Sequence, residues 1–131
     1  MAININIFLQ GYISAALWST TDCRDEEGND TYNLDDEFNS VSDNCRAAML
    51  KDCEDFIAAN SENLEKFKAE IYCEDFNLGF LFWLNRTGHG SGFWEEGTIV
   101  GDELSEACKP YGEFYIYGDF EDGCVKSHHY G

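Results

Sequence analysis

Basic residues are scarce in this chain: eight Lys and Arg stand against twenty-six Asp and Glu, a formal charge of −18. A surface so poor in cations repels polyphosphate backbones and anionic lipid, which excludes direct binding to nucleic acid or membrane as a working mode. Long apolar runs are missing too. None approaches the ~18 residues that a spanning helix needs, and the opening "MAININIFLQGYISAALW" has no basic flank, so no export signal is expected. The six cysteines, at 23, 45, 53, 73, 108 and 124, form no CxxC pair and no Cys/His cluster. Reduced thiols are expected, with neither a disulfide framework nor a zinc site, and no cofactor. One proline, no repeat and no low-complexity tract leave no linker, so residues 1–131 are expected to form a single domain.

Aromatic residues are plentiful: ten Phe, seven Tyr and three Trp. Each large ring buries roughly 150–250 Å², and a chain of this length buries about two-thirds of its unfolded surface. A folded globule is therefore expected despite the charge. Apolar positions at 8, 9, 12, 13, 16 and 17 carry a helical period, and predict a first helix from about Asn6. Residues 20–40 are expected to be an acidic surface loop: they hold Asp22, Asp25, Glu26, Glu27, Asp30, Asp35, Asp36 and Glu37. The loop lacks the ligand spacing of an EF-hand. A second helix is expected after Ser42 as N-cap, with Cys45, Met49, Cys53, Phe56 and Ile57 inward. Its outer face carries Asp43, Asp52, Glu54 and Asp55. A third helix, capped by Asn60 or Ser61, turns Leu64, Phe67 and Ile71 inward.

In "GFLFWLNR" the period reads as two, with Phe80, Phe82 and Leu84 facing away from Leu81, Trp83 and Asn85. This predicts a buried strand, a turn at "TGHGSG" and a returning strand from "FWEE". A helix over "DELSEACKPYG" places Leu104, Ala107 and Cys108 inward, and a second hairpin turns at Asp122-Gly123 between "EFYIYGD" and "CVKSH". The expected fold is α+β, with three to four helices packed on one face of a small antiparallel sheet built from two β-hairpins.

"NRTGHGSGFW", residues 85–94, admits three jobs. A structural turn would use the glycines for positive φ and the aromatics as anchors. A ligand loop would bring backbone N–H groups to a small molecule or phosphate, with Trp83, Arg86, His89, Phe93 and Trp94 around it. A catalytic loop would use His89 as acid or base with Arg86 on an oxyanion. The spacing fits neither a Walker loop nor a serine elbow, and no catalytic set is assigned. The turn is the first reading and the ligand loop the second. His128 and His129 read as a tail end.

The same stretch, extended to "FWLNRTGHGSGFWEEG" (Phe82 to Gly97), resembles the signature FWLTRNGHGAGFWDRG of a widespread set of short acidic phage and prophage proteins. Two positions around Arg86 are altered, and Glu96 replaces a basic residue. The likeness continues in "AALWSTTD", "YNLDD", "KDCEDFIAAN" and "GDELSEACKPYG". What the resemblance implies is an accessory phage product working in the host bacterium's cytoplasm; it brings no catalytic residues with it. Charge and resemblance together lead to the expectation of a non-enzymatic protein that binds a basic host or phage partner, one that handles nucleic acid or acts in defence, by presenting carboxylates where phosphates would sit. A small-molecule or nucleotide site at 85–94 is the alternative, and a homodimer is compatible with either.

Overall fold

The computed structural model describes residues 3–23, 31–36, 38–88 and 90–127, and for 21–23, 31, 32 and 36 the backbone alone. The first helix, α1 (Ile5–Ser19), starts where Asn4 accepts a side-chain hydrogen bond from the Ile7 N–H at 3.1 Å. It buries Phe8, Leu9, Tyr12, Ala15 and Ala16, the stripe its period predicts. A three-residue antiparallel ladder follows, β1 (Thr21–Cys23) with β2 (Thr31–Asn33), then a 3-10 turn at Leu34–Asp36. Of the expected acidic loop, residues 24–30 and 37 fall outside the described residues; the rest holds this ladder and turn, and Leu34 and Phe38 at its end are buried.

Helix α2 (Asp43–Ile71) begins at the predicted cap, where Ser42 Oγ accepts from the Cys45 N–H at 3.1 Å. Two helices were expected here, and two helical halves are found, running on from one another across a kink at Asn60. At Asn60 the backbone leaves helical values (φ −129°, ψ 19°) while its side-chain amide donates to the Phe56 carbonyl at 3.0 Å. An asparagine amide competes with the backbone ladder in this way, so the residue read as a cap makes a kink instead. Both halves keep their inward stripes: Cys45, Met49, Cys53 and Phe56, then Leu64 and Phe67.

The largest correction concerns residues 75–96. The run expected as a strand is the helix α3 (Asp75–Arg86), and "FWEE" is a 3-10 turn (Phe93–Glu96), so the first predicted hairpin does not exist. Asp75, Leu78, Gly79, Phe82, Trp83 and Arg86 are buried, a clear spacing of three and four. Leu84 is buried as well. That extra burial makes the local run apolar all round and hides the period. Asp75 in the first turn joins three segments: it accepts from the Asn4 N–H at 3.0 Å and pairs with Lys68 at 2.7 Å.

Helix α4 (Ile99–Cys108) is capped by Thr98, whose Oγ1 accepts from the Gly101 N–H at 2.9 Å, and runs into a 3-10 turn (Lys109–Tyr111) that ends at Gly112 with φ +64°. The second predicted hairpin is present: β3 (Ile116–Asp119) pairs antiparallel with β4 (Cys124–Ser127), turning through Gly123 at φ +68°. β4 also exchanges backbone bonds with the segment before α2, Ser42 N–H to Val125 O at 2.7 Å and Val125 N–H to Ser40 O at 3.0 Å.

Among the described residues the fold is mostly helical α+β, with four helices, the β3–β4 hairpin and the short β1–β2 ladder. β4 of the hairpin lies against α2, and the helices otherwise pack on each other. Their contact is aromatic: Phe56 stacks on Phe82 at 4.1 Å, Tyr12 meets Trp83 edge-on at 5.2 Å, and Phe67 meets Phe93 edge-on at 5.2 Å. Between α1 and α3 two glycines face the opposite backbones. A Cβ on Gly11 would overlap the Phe76 carbonyl, and one on Gly79 would overlap the Phe8 carbonyl.

Candidate functional site

Arg86 closes α3, and its side chain is only 3% exposed. Its Nε donates to the Gly112 carbonyl (2.9 Å) and Nη2 to the Tyr111 carbonyl (2.7 Å). Nη1 donates to Tyr12 Oη (3.0 Å) and to Asp52 Oδ2 (2.6 Å). The guanidinium also lies 5.4–5.8 Å from the ring centroids of Phe82, Tyr111 and Phe114. One side chain therefore joins α1, α2, α3 and the turn after α4. Burial opposes its charge, but Tyr12 and Asp52 outweigh that and raise its pKa further. The Tyr12 hydroxyl is pushed up, by burial first, with Arg86 offsetting part of the effect.

The five candidate ligand-loop residues do not converge. Trp83 and Phe93 are core side chains, Trp83 with its indole N–H donating to Ser19 Oγ at 2.8 Å. Arg86 is occupied, Trp94 is half-exposed on the 3-10 turn, and His89 lies outside the described residues. The segment around it is held by Asn85, whose Oδ1 accepts from the Phe93 N–H (3.0 Å) and from Ser105 Oγ (2.8 Å). Gly88 and Gly90 sit at φ +70° and +76°, the left-handed region a turn demands here. An anion at this turn would find the Arg86 guanidinium already committed.

A cavity of about 300 Å³ opens on the other side of Arg86. It is lined by Asp52, Arg86, Tyr111, Glu113, Phe114 and Tyr115, with Pro110 and Ser127 completing it. Sequence reasoning named Asp52 and Arg86 but set them in different sites. It missed Glu113, Tyr115 and Ser127. The only signal for those three was their clustering in the last hairpin, which a fold of correct topology would have been needed to use.

The acidic residues divide. Of the twelve nominated, Asp22, Asp25, Glu26, Glu27, Asp30, Asp36 and Glu37 have side chains outside the described residues, and Asp35 is exposed. On α2, Asp43, Glu54 and Asp55 are exposed, but so are Arg46 and Lys51 between them. Asp52 is turned inward to Arg86. A further acidic run lies elsewhere: Glu95, Glu96, Asp102, Glu103 and Glu106 are all exposed, no Lys or Arg falls between them in the chain, and Lys109 pairs with Glu106 at 2.6 Å. The twelve nominated positions do not include this run.

The described cysteines form no disulfide, and no three His, Cys, Asp or Glu side chains among the described residues come together to hold a metal. No described helix is long and apolar enough to cross a membrane. Burial pushes the Cys45 thiol up to about 11 and the Cys108 thiol up to about 12, and raises Cys53 as well. Unfolded thiols ionise near pH 8.5. The folded state thus holds these protons more tightly, and the stability they contribute is complete below about pH 8.5 and lost as pH rises toward the native values. The expected slope is up to about 1.4 kcal/mol per pH unit per thiol. Denaturant midpoints measured from neutral pH to about pH 10.5 should fall steeply, and Cys108→Ala should flatten the fall. An unchanged slope in that variant would contradict the assignment.

The chain matches no family model, no curated protein and no solved structure.

Proposed function

We propose that this protein is a non-enzymatic accessory phage product that binds a basic protein surface in the bacterial cytoplasm, occupying the place of a nucleic-acid backbone on a protein that handles nucleic acid or acts in defence. The observation that carries this reading is the exposed run Glu95, Glu96, Asp102, Glu103 and Glu106, which no Lys or Arg interrupts in the chain. The likeness of Phe82 to Gly97 to phage proteins supports the setting.

Charge density sets what the surface must do. Eighteen net charges over 7352 Å² amount to one per roughly 410 Å². Duplex DNA, at one charge per ~1.7 Å of axis and roughly 20 Å across, carries about one per 110 Å². Spread evenly, the protein is a poor imitation. Binding in place of DNA therefore requires a local face several times denser than the mean. The 95–106 run and the acids of 22–37 are the candidates for such a face.

The test is affinity capture from infected-host lysate at about 0.1 M and about 1 M salt, between which the screening length falls from ~10 to ~3 Å. A partner captured at low salt should be lost at high salt. It should also be lost when Glu95, Glu96, Asp102 and Glu103 are changed together to their amides. A partner retained through both changes would rule out carboxylate-driven binding.

A further inference from the structure

From the cavity beside Arg86 we infer that it is a receptor for one organic cation, the guanidinium or ammonium end of an arginine or lysine side chain presented by the partner. This rests on the reading above, of which it is the most specific contact.

The lining carries an unbalanced charge. Arg86 is neutralised by Asp52 at 2.6 Å and has its other hydrogen bonds on Tyr12, Tyr111 and Gly112. Glu113 is then left as the excess charge, which makes the cavity net negative. Its walls include Tyr111, Phe114 and Tyr115, rings of the kind that attract a cation to their faces. An anion would meet Glu113 and the field of the whole protein, whereas a cation meets neither obstacle.

The second observation is Ser127. It is 2% exposed, it lines the cavity, and its Oγ meets no hydrogen-bond partner of good geometry, with the Cys45 thiol as a weak neighbour. A buried hydroxyl without a well-placed partner is destabilising. A ligand N–H reaching into the cavity would supply that partner. A planar fork can address both oxygens of the Glu113 carboxylate at once. Arginine is accordingly favoured over lysine.

Two probes test this: N-acetyl-arginine methylamide and an oligo-arginine peptide, each titrated at low salt and followed by backbone amide NMR. The capped arginine should move the resonances of residues 113–115 and 127 saturably. Glu113→Gln should weaken it about tenfold, while Glu70→Gln, an exposed acid at the far end of α2, should change it less than about twofold. Ser127→Ala should keep or raise stability, because it removes an unpaired buried hydroxyl, yet weaken the capped arginine about threefold. If the peptide binds but the capped arginine leaves these resonances still, or Glu113→Gln matches Glu70→Gln, the cavity is no receptor and the acidic-surface reading survives. If the capped arginine binds and the peptide does not, the cavity takes a small free cation and the protein-partner reading falls. Binding of neither probe overturns both.

Discussion

Arg86→Met should unfold or nearly unfold the protein, with a loss of about 3–5 kcal/mol against a total that for domains of this size is about 5–15 kcal/mol. Methionine can fill the volume, but it leaves Asp52, Tyr12 Oη and the carbonyls of Tyr111 and Gly112 without their donor. Removing one partner of a buried pair costs more than the pair is worth, because the other charge stays behind. Lysine should not rescue. It keeps the charge but offers a single nitrogen where Arg86 uses three, spread over four acceptors. Asp52→Asn should cost less, since the amide can still accept from Nη1. The double variant Asp52→Asn with Arg86→Met should lose much less than the two single losses added together, because the stranded carboxylate is gone. Urea midpoints with unchanged slope are the measurement. A loss below about 1 kcal/mol, the scale of an exposed ion pair, would show the network to be decoration. It would also return Arg86 to the list of candidate ligand residues.

Gly79→Ala should be nearly as damaging, although in an isolated helix the same change stabilises by about 1 kcal/mol. The added Cβ would overlap the Phe8 carbonyl oxygen, which is helix backbone and has nowhere to go. Gly11→Ala meets the Phe76 carbonyl from the other side. Overpacking a core costs about 1–3 kcal/mol where side chains can adjust; here only a separation of α1 from α3 relieves the clash. Each variant should lose at least about 3 kcal/mol by denaturant titration. A neutral or stabilised Gly79→Ala would mean that the two helices do not cross at these glycines.

Much of this fold could be read in the chain, and the failures have a common cause. α1, both halves of α2 and α4 each face the core on one side and water on the other, so their periods survive in the sequence, and Ser42 marks its helix start. The last hairpin alternates because its outer face is wet: Tyr115 and Tyr117 are exposed while Phe114 and Ile116 are buried. α3 is different. Its Phe82 and Trp83 meet α1 through Tyr12, and Phe82 meets α2 through Phe56, so more than one face is apolar. From Phe80 to Leu84 the pattern then says only that the segment is buried. The wider window from Asp75, with its spacing at 78, 79, 82, 83 and 86, held the helical signal. Arg86 stands out in the sequence, since it is the one Lys or Arg between Lys68 and Lys109. Its role does not, because its partners lie 25 to 74 residues away in sequence. Long-range acceptors leave no local trace.

That reach has a consequence for synthesis. The carbonyls of Tyr111 and Gly112 leave the ribosome last among the groups that Arg86 needs, and Tyr12 leaves first. At about 5–20 residues per second, α1 waits several seconds for a seat that only α3 provides. Its aromatic face is meanwhile uncovered. A nascent chain stopped before residue 111 lacks two of the four acceptors of Arg86, so the cage around the cation closes only after Gly112 has been made.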